Sequence, residues 1–144
     1  MSLSVKQSFN GIEFDLVCPV PLTLKSELKR GYNQSSLLGE RLAEYLDIPY
    51  FKNLLICKGK RKHQYKLRSR ERHENVKDIY FSDTELKGQT VLLVDDIKTS
   101  GYTLDECSKA LLKAGARRVY CVTGLITLKK TKGQKVKHQS YLTD

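Results

Sequence analysis

The sequence predicts an α/β domain with a mainly parallel sheet of about five strands flanked by helices. Three observations carry this reading. Short apolar runs alternate with helical patterns along the chain; a strand, a helix and a strand follow one another before residue 58, implying a parallel crossover; and Val91-Leu92-Leu93-Val94 is a continuous apolar run, as in a strand buried on both faces. Such sheets place their ligand sites at the carboxyl ends of strands.

The elements follow in order. Leu16 to Val20, after Phe14-Asp15, reads as a strand. Leu37, Leu38, Leu42 and Leu46 recur at helical spacing and predict a helix over Ser36 to Leu46, and Tyr50 to Cys57 reads as strand again. Residues 58 to 76 break the rhythm with Lys58, Lys60, Arg61, Lys62, Lys66, Arg68, Arg70 and Arg72, a long polar excursion with few apolar positions. Ile79 to Phe81 is a short strand candidate, and a turn around Lys87-Gly88 leads into Val91 to Val94. Leu104, Cys107, Leu111 and Ala114 mark one face of a helix that ends at Gly115, a suitable left-handed cap. Val119 to Ile126 is the last strand, and the basic tail from Lys129 onward reads as frayed.

No repeat, linker or boundary divides the 144 residues, so a single domain over 1–144 is expected, with its core at about 15–126 and a basic tail at about 129–144. An apolar fraction of 40% beside 29% charged residues is that of a folded globular chain and excludes a disordered one. No run is apolar and long enough to span a bilayer, and the N-terminus lacks the pattern of a secretory signal; no membrane association and a cytoplasmic location are expected. Cys18, Cys57, Cys107 and Cys121 are widely separated in apolar surroundings, without a Cys-x-x-Cys pair, and read as buried thiols rather than zinc ligands. His63, His73 and His138 have no ligand spacing either. The net charge of +10 favours anionic partners, among them nucleic acid, diphosphate compounds and acidic proteins.

The informative stretch runs from Val91 to Leu104. An apolar strand delivers Asp95 and Asp96 to its carboxyl end, and the short loop Thr99-Ser100-Gly101-Tyr102-Thr103 leads into a helix. Adjacent carboxylates cannot both be buried and ionised without partners, so at an open strand end they suit ribose hydroxyls or a hydrated Mg²⁺. Backbone N–H groups, the Thr99, Ser100 and Thr103 hydroxyls and a helix N-terminus suit a monophosphate, and Gly101 allows close approach. The plain alternative is that the aspartates are turn residues and Thr103 an N-cap. Neither G-x-G-x-x-G nor the G-x-x-x-x-G-K-[ST] loop is present, which leaves dinucleotide and nucleoside-triphosphate readings without support.

This stretch resembles the motif by which type I phosphoribosyltransferases bind phosphoribosyl diphosphate (PRPP). Pro19-Val20-Pro21-Leu22, then Arg30-Gly31-Tyr32-Asn33-Gln34, and later Gln64, Leu67, Arg72, Asn75 and Val76 resemble the C-terminal domain of the ComF family, from about Asp15 to Ile126. The resemblance implies a PRPP-binding protein tied to competence and DNA uptake. Asp95 and Asp96 would hold the ribose, with Mg²⁺ carried by PRPP nearby rather than by direct protein ligands. Lys98, Thr99, Ser100, Gly101, Tyr102 and Thr103 would hold the 5′-phosphate. Pro21, Leu22, Arg30, Gly31, Asn33 and Gln34 would form the diphosphate loop, and Arg61, Gln64, Arg72 and Asn75 a flexible loop. Three departures stand out: the family's N-terminal four-cysteine zinc module has no counterpart, Lys98 replaces a usual apolar residue, and Ser100 replaces a usual threonine. No zinc is therefore expected. The amidotransferase activity often attached to the family is not carried over, because no N-terminal nucleophilic Cys or glutaminase-sized segment is present.

The residues themselves leave alternatives. Lys25, Lys29, Arg30 and Gly31 also suit a surface turn before a helix, and Asn33 suits a helix cap. The basic stretch Lys58 to His73 fits a solvated loop, a flap over the diphosphate, or a nucleic-acid patch with Tyr65 as a stacking residue. Two function classes follow: Mg²⁺-dependent phosphoribosyl transfer to an unidentified acceptor, or a non-enzymatic module that senses PRPP or binds single-stranded DNA or a DNA-processing protein. A homodimer is compatible with either.

Overall fold

A computed structural model describes residues 9–58, 79–98, 101–126 and 141–143. Strand β1 (Leu16–Pro19) is followed by helices α1 (Leu24–Arg30) and α2 (Gln34–Leu46), strands β2 (Ile56–Cys57), β3 (Tyr80–Phe81) and β4 (Thr90–Lys98), helix α3 (Tyr102–Lys113), and strands β5 (Arg118–Ile126) and β6 (Tyr141–Thr143). The main sheet runs β1-β4-β5-β6. Strand β4 is parallel to both neighbours, with Leu16 to Pro19 opposite Val91 to Val94 on one side and Thr90 opposite Arg118 on the other.

Successive strand side chains point to opposite faces, and here that alternation divides the core in two. Leu16, Cys18, Val91 and Leu93 join Leu104, Cys107 and Leu111 of α3 on one face. Val17, Leu92 and Val94 join Leu42 and Ala43 of α2, with Phe9 and Tyr120, on the other. Both faces of β4 are thus covered, which is why Val91 to Val94 are apolar without alternation and all fully buried. The rings of Phe9, Phe14 and Tyr120 close the α2 side in mutual edge-to-face contacts at 5.5 Å. The expected α/β architecture, with a mainly parallel sheet between helices, is present.

Several boundaries differ from the sequence reading. Tyr50 to Cys57 is not one strand. Tyr50 makes a single parallel bridge to Val17, then the chain turns, and Ile56 and Cys57 pair antiparallel with Phe81 and Tyr80 in a separate two-stranded sheet. The reason is in the sequence: adjacent Leu54 and Leu55 are both buried in the same cluster, which a regular strand cannot arrange. The tail expected to fray contributes β6, antiparallel to β5 through Val119–Thr143, Tyr120–Leu142 and Cys121–Tyr141. A parallel β5 left as an edge would expose unpaired backbone groups, and the strand-forming Tyr-Leu-Thr run covers them. Helix α3 ends at Lys113 with Ala114 as its cap, and Gly115 follows at φ +104°.

The thiol reading holds for Cys18, Cys107 and Cys121, which are buried; Cys57 is half-buried. Burial pushes the Cys18 thiol far up, so it stays protonated. Among the described residues no helix is long and apolar enough to cross a membrane.

Candidate functional site

Three elements meet where β4 runs out. The first is β4 itself, which continues past the apolar run through Asp95 and Asp96 to Lys98, where its backbone still pairs with Ile126. The aspartates therefore sit inside a paired strand, not in a turn after it. Both are half-buried. The Asp95 Oδ1 accepts a hydrogen bond from Ser35 Oγ at 2.9 Å and another from the Asp96 N–H at 2.9 Å, and that same N–H lies 3.1 Å from Ser35 Oγ. Burial raises Asp95 to about 6, with the Asp96 side chain adding to the rise and the Ser35 hydrogen bond opposing it. A carboxylate poised there accepts hydroxyl donors readily once ionised.

The second element is the N-terminus of α3. Thr99 and Ser100 lie outside the described residues, and of Lys98 only the backbone is described. Gly101 is the N-cap, at φ +80° in the left-handed region, and being glycine it offers no side-chain cap. Only glycine adopts that angle without strain. Tyr102 and Thr103 are thus the first two helical residues, so Thr103 is not the cap. The first turn carries backbone donors and the positive end of the helix dipole.

The third element is the turn between α1 and α2. The sequence reading did not foresee α1, although its signals are present. Thr23 Oγ1 accepts from the Ser26 N–H at 3.1 Å as N-cap, and Gly31 closes the helix at φ +79° with its N–H bonded to the Glu27 carbonyl. Seven residues with Leu28 almost fully exposed give little apolar periodicity to detect. Pro21 and Leu22 are half-buried, whereas Arg30, Gly31 and Gln34 are exposed. Asn33 is buried and caps α2: its Oδ1 accepts from Ser35 N–H at 3.0 Å and Ser36 N–H at 3.4 Å, and its Nδ2 donates to the Val20 carbonyl at 3.1 Å. Of the expected diphosphate loop, Arg30, Gly31 and Gln34 are thus available to a ligand, while Asn33 holds the turn in place.

Arg61, Gln64, Arg72 and Asn75 lie outside the described residues. The first residue of the basic stretch, Lys58, sets its ammonium over the Phe81 ring at 4.4 Å. Ser35 was missed by sequence reasoning, because nothing local to it announces a bond to a residue 60 positions away. A shallow groove of about 480 Å³, lined by Glu40, Glu44, Asp47 and Tyr50 among others, includes neither aspartate of the pair. Among the described residues no cluster of three His, Cys, Asp or Glu could hold a metal ion.

Comparison with known proteins gives the family and the fold. The sequence model of the phosphoribosyl transferase domain matches residues 33–143. Competence protein F of Haemophilus influenzae is 38% identical over 111 residues, which cover 73% of this chain and 47% of that protein. The DNA utilization protein YhgH of Escherichia coli O157:H7 is 30% identical over 110 residues, 75% of this chain and 48% of that protein. The chain therefore spans about half the length of these relatives. In fold it is similar to the glutamine phosphoribosylpyrophosphate amidotransferase of B. subtilis, with a TM-score of 0.54 and 23% identity, over 81% of this chain and 24% of that one. The relatives are those that the ComF resemblance anticipated, and with a family model matching most of its length the chain belongs to the phosphoribosyl transferase domain family.

Proposed function

We propose that the chain binds PRPP and transfers its phosphoribosyl group to an acceptor, in the competence and DNA-utilisation processes for which its relatives are named. The observation that carries this reading is the juxtaposition at the end of β4: a carboxylate pair, with Asp95 fixed by Ser35, followed at once by a helix that opens on a left-handed glycine. Asp95 and Asp96 accept the ribose hydroxyls and, as carboxylates, stabilise the positive charge that develops on the sugar. The amides at the start of α3 hold the 5′-phosphate, and Arg30 with the exposed turn at Gly31 meets the diphosphate. In the transfer the C1–O bond to diphosphate breaks with its electron pair leaving on diphosphate, and the acceptor's lone pair forms the new bond to C1 as the acceptor loses a proton. Hard oxygen donors beside an anionic ligand fit Mg²⁺, which would come with PRPP and neutralise the leaving diphosphate.

Calorimetry with PRPP and Mg²⁺ on the parent and on Asp95→Asn/Asp96→Asn tests the site. The double variant is expected to lose most of the affinity, each charge-assisted contact contributing roughly 1.5–3 kcal/mol. Equal binding by both proteins would remove the assignment. Product formation with a panel of bases then separates a transferase from a PRPP-sensing module that binds without turnover.

A further inference from the structure

We propose that Ser35 is a positioning residue that locks the first turn of α2 to Asp95, so that the turn proposed to meet diphosphate and the carboxylate proposed to meet ribose act as one unit. Its ligand rests on the PRPP reading above, but the coupling is a property of the free protein.

The argument begins with a serine relieved of its usual local duty. A serine in the first turn of a helix commonly bonds to nearby backbone. Here Asn33 does the capping, taking the N–H groups of Ser35 and Ser36. The Ser35 hydroxyl, in a residue only 4% exposed, is left to work over 60 residues of sequence, donating to Asp95 Oδ1 at 2.9 Å while lying 3.1 Å from the Asp96 N–H.

The bonds then form a closed ring. Val20 N–H donates to the Val94 carbonyl at 2.8 Å, Asn33 Nδ2 donates to the Val20 carbonyl at 3.1 Å, Asn33 Oδ1 accepts from Ser35 N–H at 3.0 Å, and Ser35 Oγ returns to Asp95, the residue after Val94. Three elements distant in sequence, the exit of β1, the start of α2 and the end of β4, are thereby fixed relative to one another at the mouth of the site. Ser35 is the link of that ring that touches the carboxylate. Among the described residues the ionisable neighbour acting on Asp95 is Asp96, on the same strand; α2 presents the neutral Ser35, and β5 places Thr123 opposite. No described cation offsets the loss of this hydroxyl donor at Asp95.

The test uses the full chain with Ser35→Ala, Ser35→Cys and Ser35→Thr, each checked for fold by circular dichroism. Asp95 is titrated by carboxyl ¹³C NMR without ligand, and PRPP with Mg²⁺ is titrated by calorimetry at pH 6.5 and pH 8. Removing the donor is expected to move the Asp95 midpoint upward and to weaken PRPP binding by about fivefold to tenfold at the lower pH, with a smaller loss at the higher. Threonine should restore both, and cysteine, a weak donor, should shift the midpoint in the same direction by less. An Asp95 midpoint unchanged in folded Ser35→Ala, or in Ser35→Cys should alanine fail to fold, overturns the inference. Should the parent not bind PRPP at all, the functional reading falls, while the Asp95 titration still decides the Ser35 link.

Discussion

Asn33 Nδ2 donates to the Val20 carbonyl at 3.1 Å, so the side chain that caps α2 also fixes the exit of β1. One buried amide thus sets the height at which the Arg30 to Gln34 turn stands over the end of β4. It serves the site by holding other groups, which gives it a signature in stability.

Asn33→Ala removes a cap and the bond to Val20 together. The expected loss is about 1–2 kcal/mol, that of a good N-cap with a buried bond. Asn33→Asp keeps the capping acceptor but not the donor and should recover part of it. Urea denaturation of the three proteins checks both, and an alanine variant as stable as the parent would contradict the geometry.

The elements legible in the sequence were those whose pattern is set by burial on a regular period. Val91 to Val94 had to be apolar because helices cover both faces, and Leu38, Leu42 and Leu46 had to recur because α2 turns one stripe to the sheet. The position of the carboxylate pair at the end of β4 was legible as well, because the apolar run stops at Val94. What escaped depends on partners far away in the chain. Tyr50 to Cys57 carries strand-like residues, but Leu54 and Leu55 go to one cluster and divert the chain. Helix α1 rests on its caps, Thr23 and Gly31, more than on an apolar face. Ser35 looked like any helix serine until the fold set Asp95 beside it. Thr99, Ser100 and the basic stretch beyond Lys58 stand as sequence expectations, outside the described residues.

Gly101 offers a second test. At φ +80° a residue that carries a Cβ is strained, by roughly 1–2 kcal/mol for most residues, while asparagine visits this region more easily. Gly101→Ala should lower the melting temperature and, on the proposed reading, weaken PRPP binding, because relieving the strain would rotate the first amides of α3 away from the proposed phosphate position. Gly101→Asn should lose less of both. Thermal melts and calorimetry on the same samples check this, and an alanine variant with unchanged affinity would show that the phosphate does not use this turn.

Thiol reactivity tests the core assignment cheaply. Cys18, Cys107 and Cys121 are buried, and Cys57 is half-buried. Iodoacetamide on the native protein should therefore label Cys57 first, with the other three reacting only on unfolding, since burial denies the reagent access to them and also keeps the Cys18 thiol protonated. Mass spectrometry of tryptic peptides reads the order. Rapid native labelling of Cys18, which pairs with the centre of the sheet opposite Leu93, would mean that β1 is not packed as described.

The pH dependence of stability follows from Asp95, whose carboxyl burial lifts to about 6 from an ordinary 3.8. Between these values the folded protein holds a proton that the unfolded chain releases, so stability falls as pH rises through the window. The contribution is fully present below about pH 4 and is lost above about pH 6, where the folded state keeps a half-buried charge at a cost on the order of 2 kcal/mol. On the proposed reading ligand binding should run the other way, because an ionised Asp95 is the better acceptor for ribose hydroxyls. Asp95→Asn should therefore flatten the stability profile between pH 4 and 6 and make the protein more stable than the parent at pH 7, while weakening PRPP binding there. Urea denaturation from pH 4 to 8 on both proteins, with calorimetry at pH 7, separates the two effects. If asparagine destabilises the protein at pH 7 by as much as it weakens binding, Asp95 is a structural residue, and the carboxylate at the end of β4 is not held in readiness for a ligand.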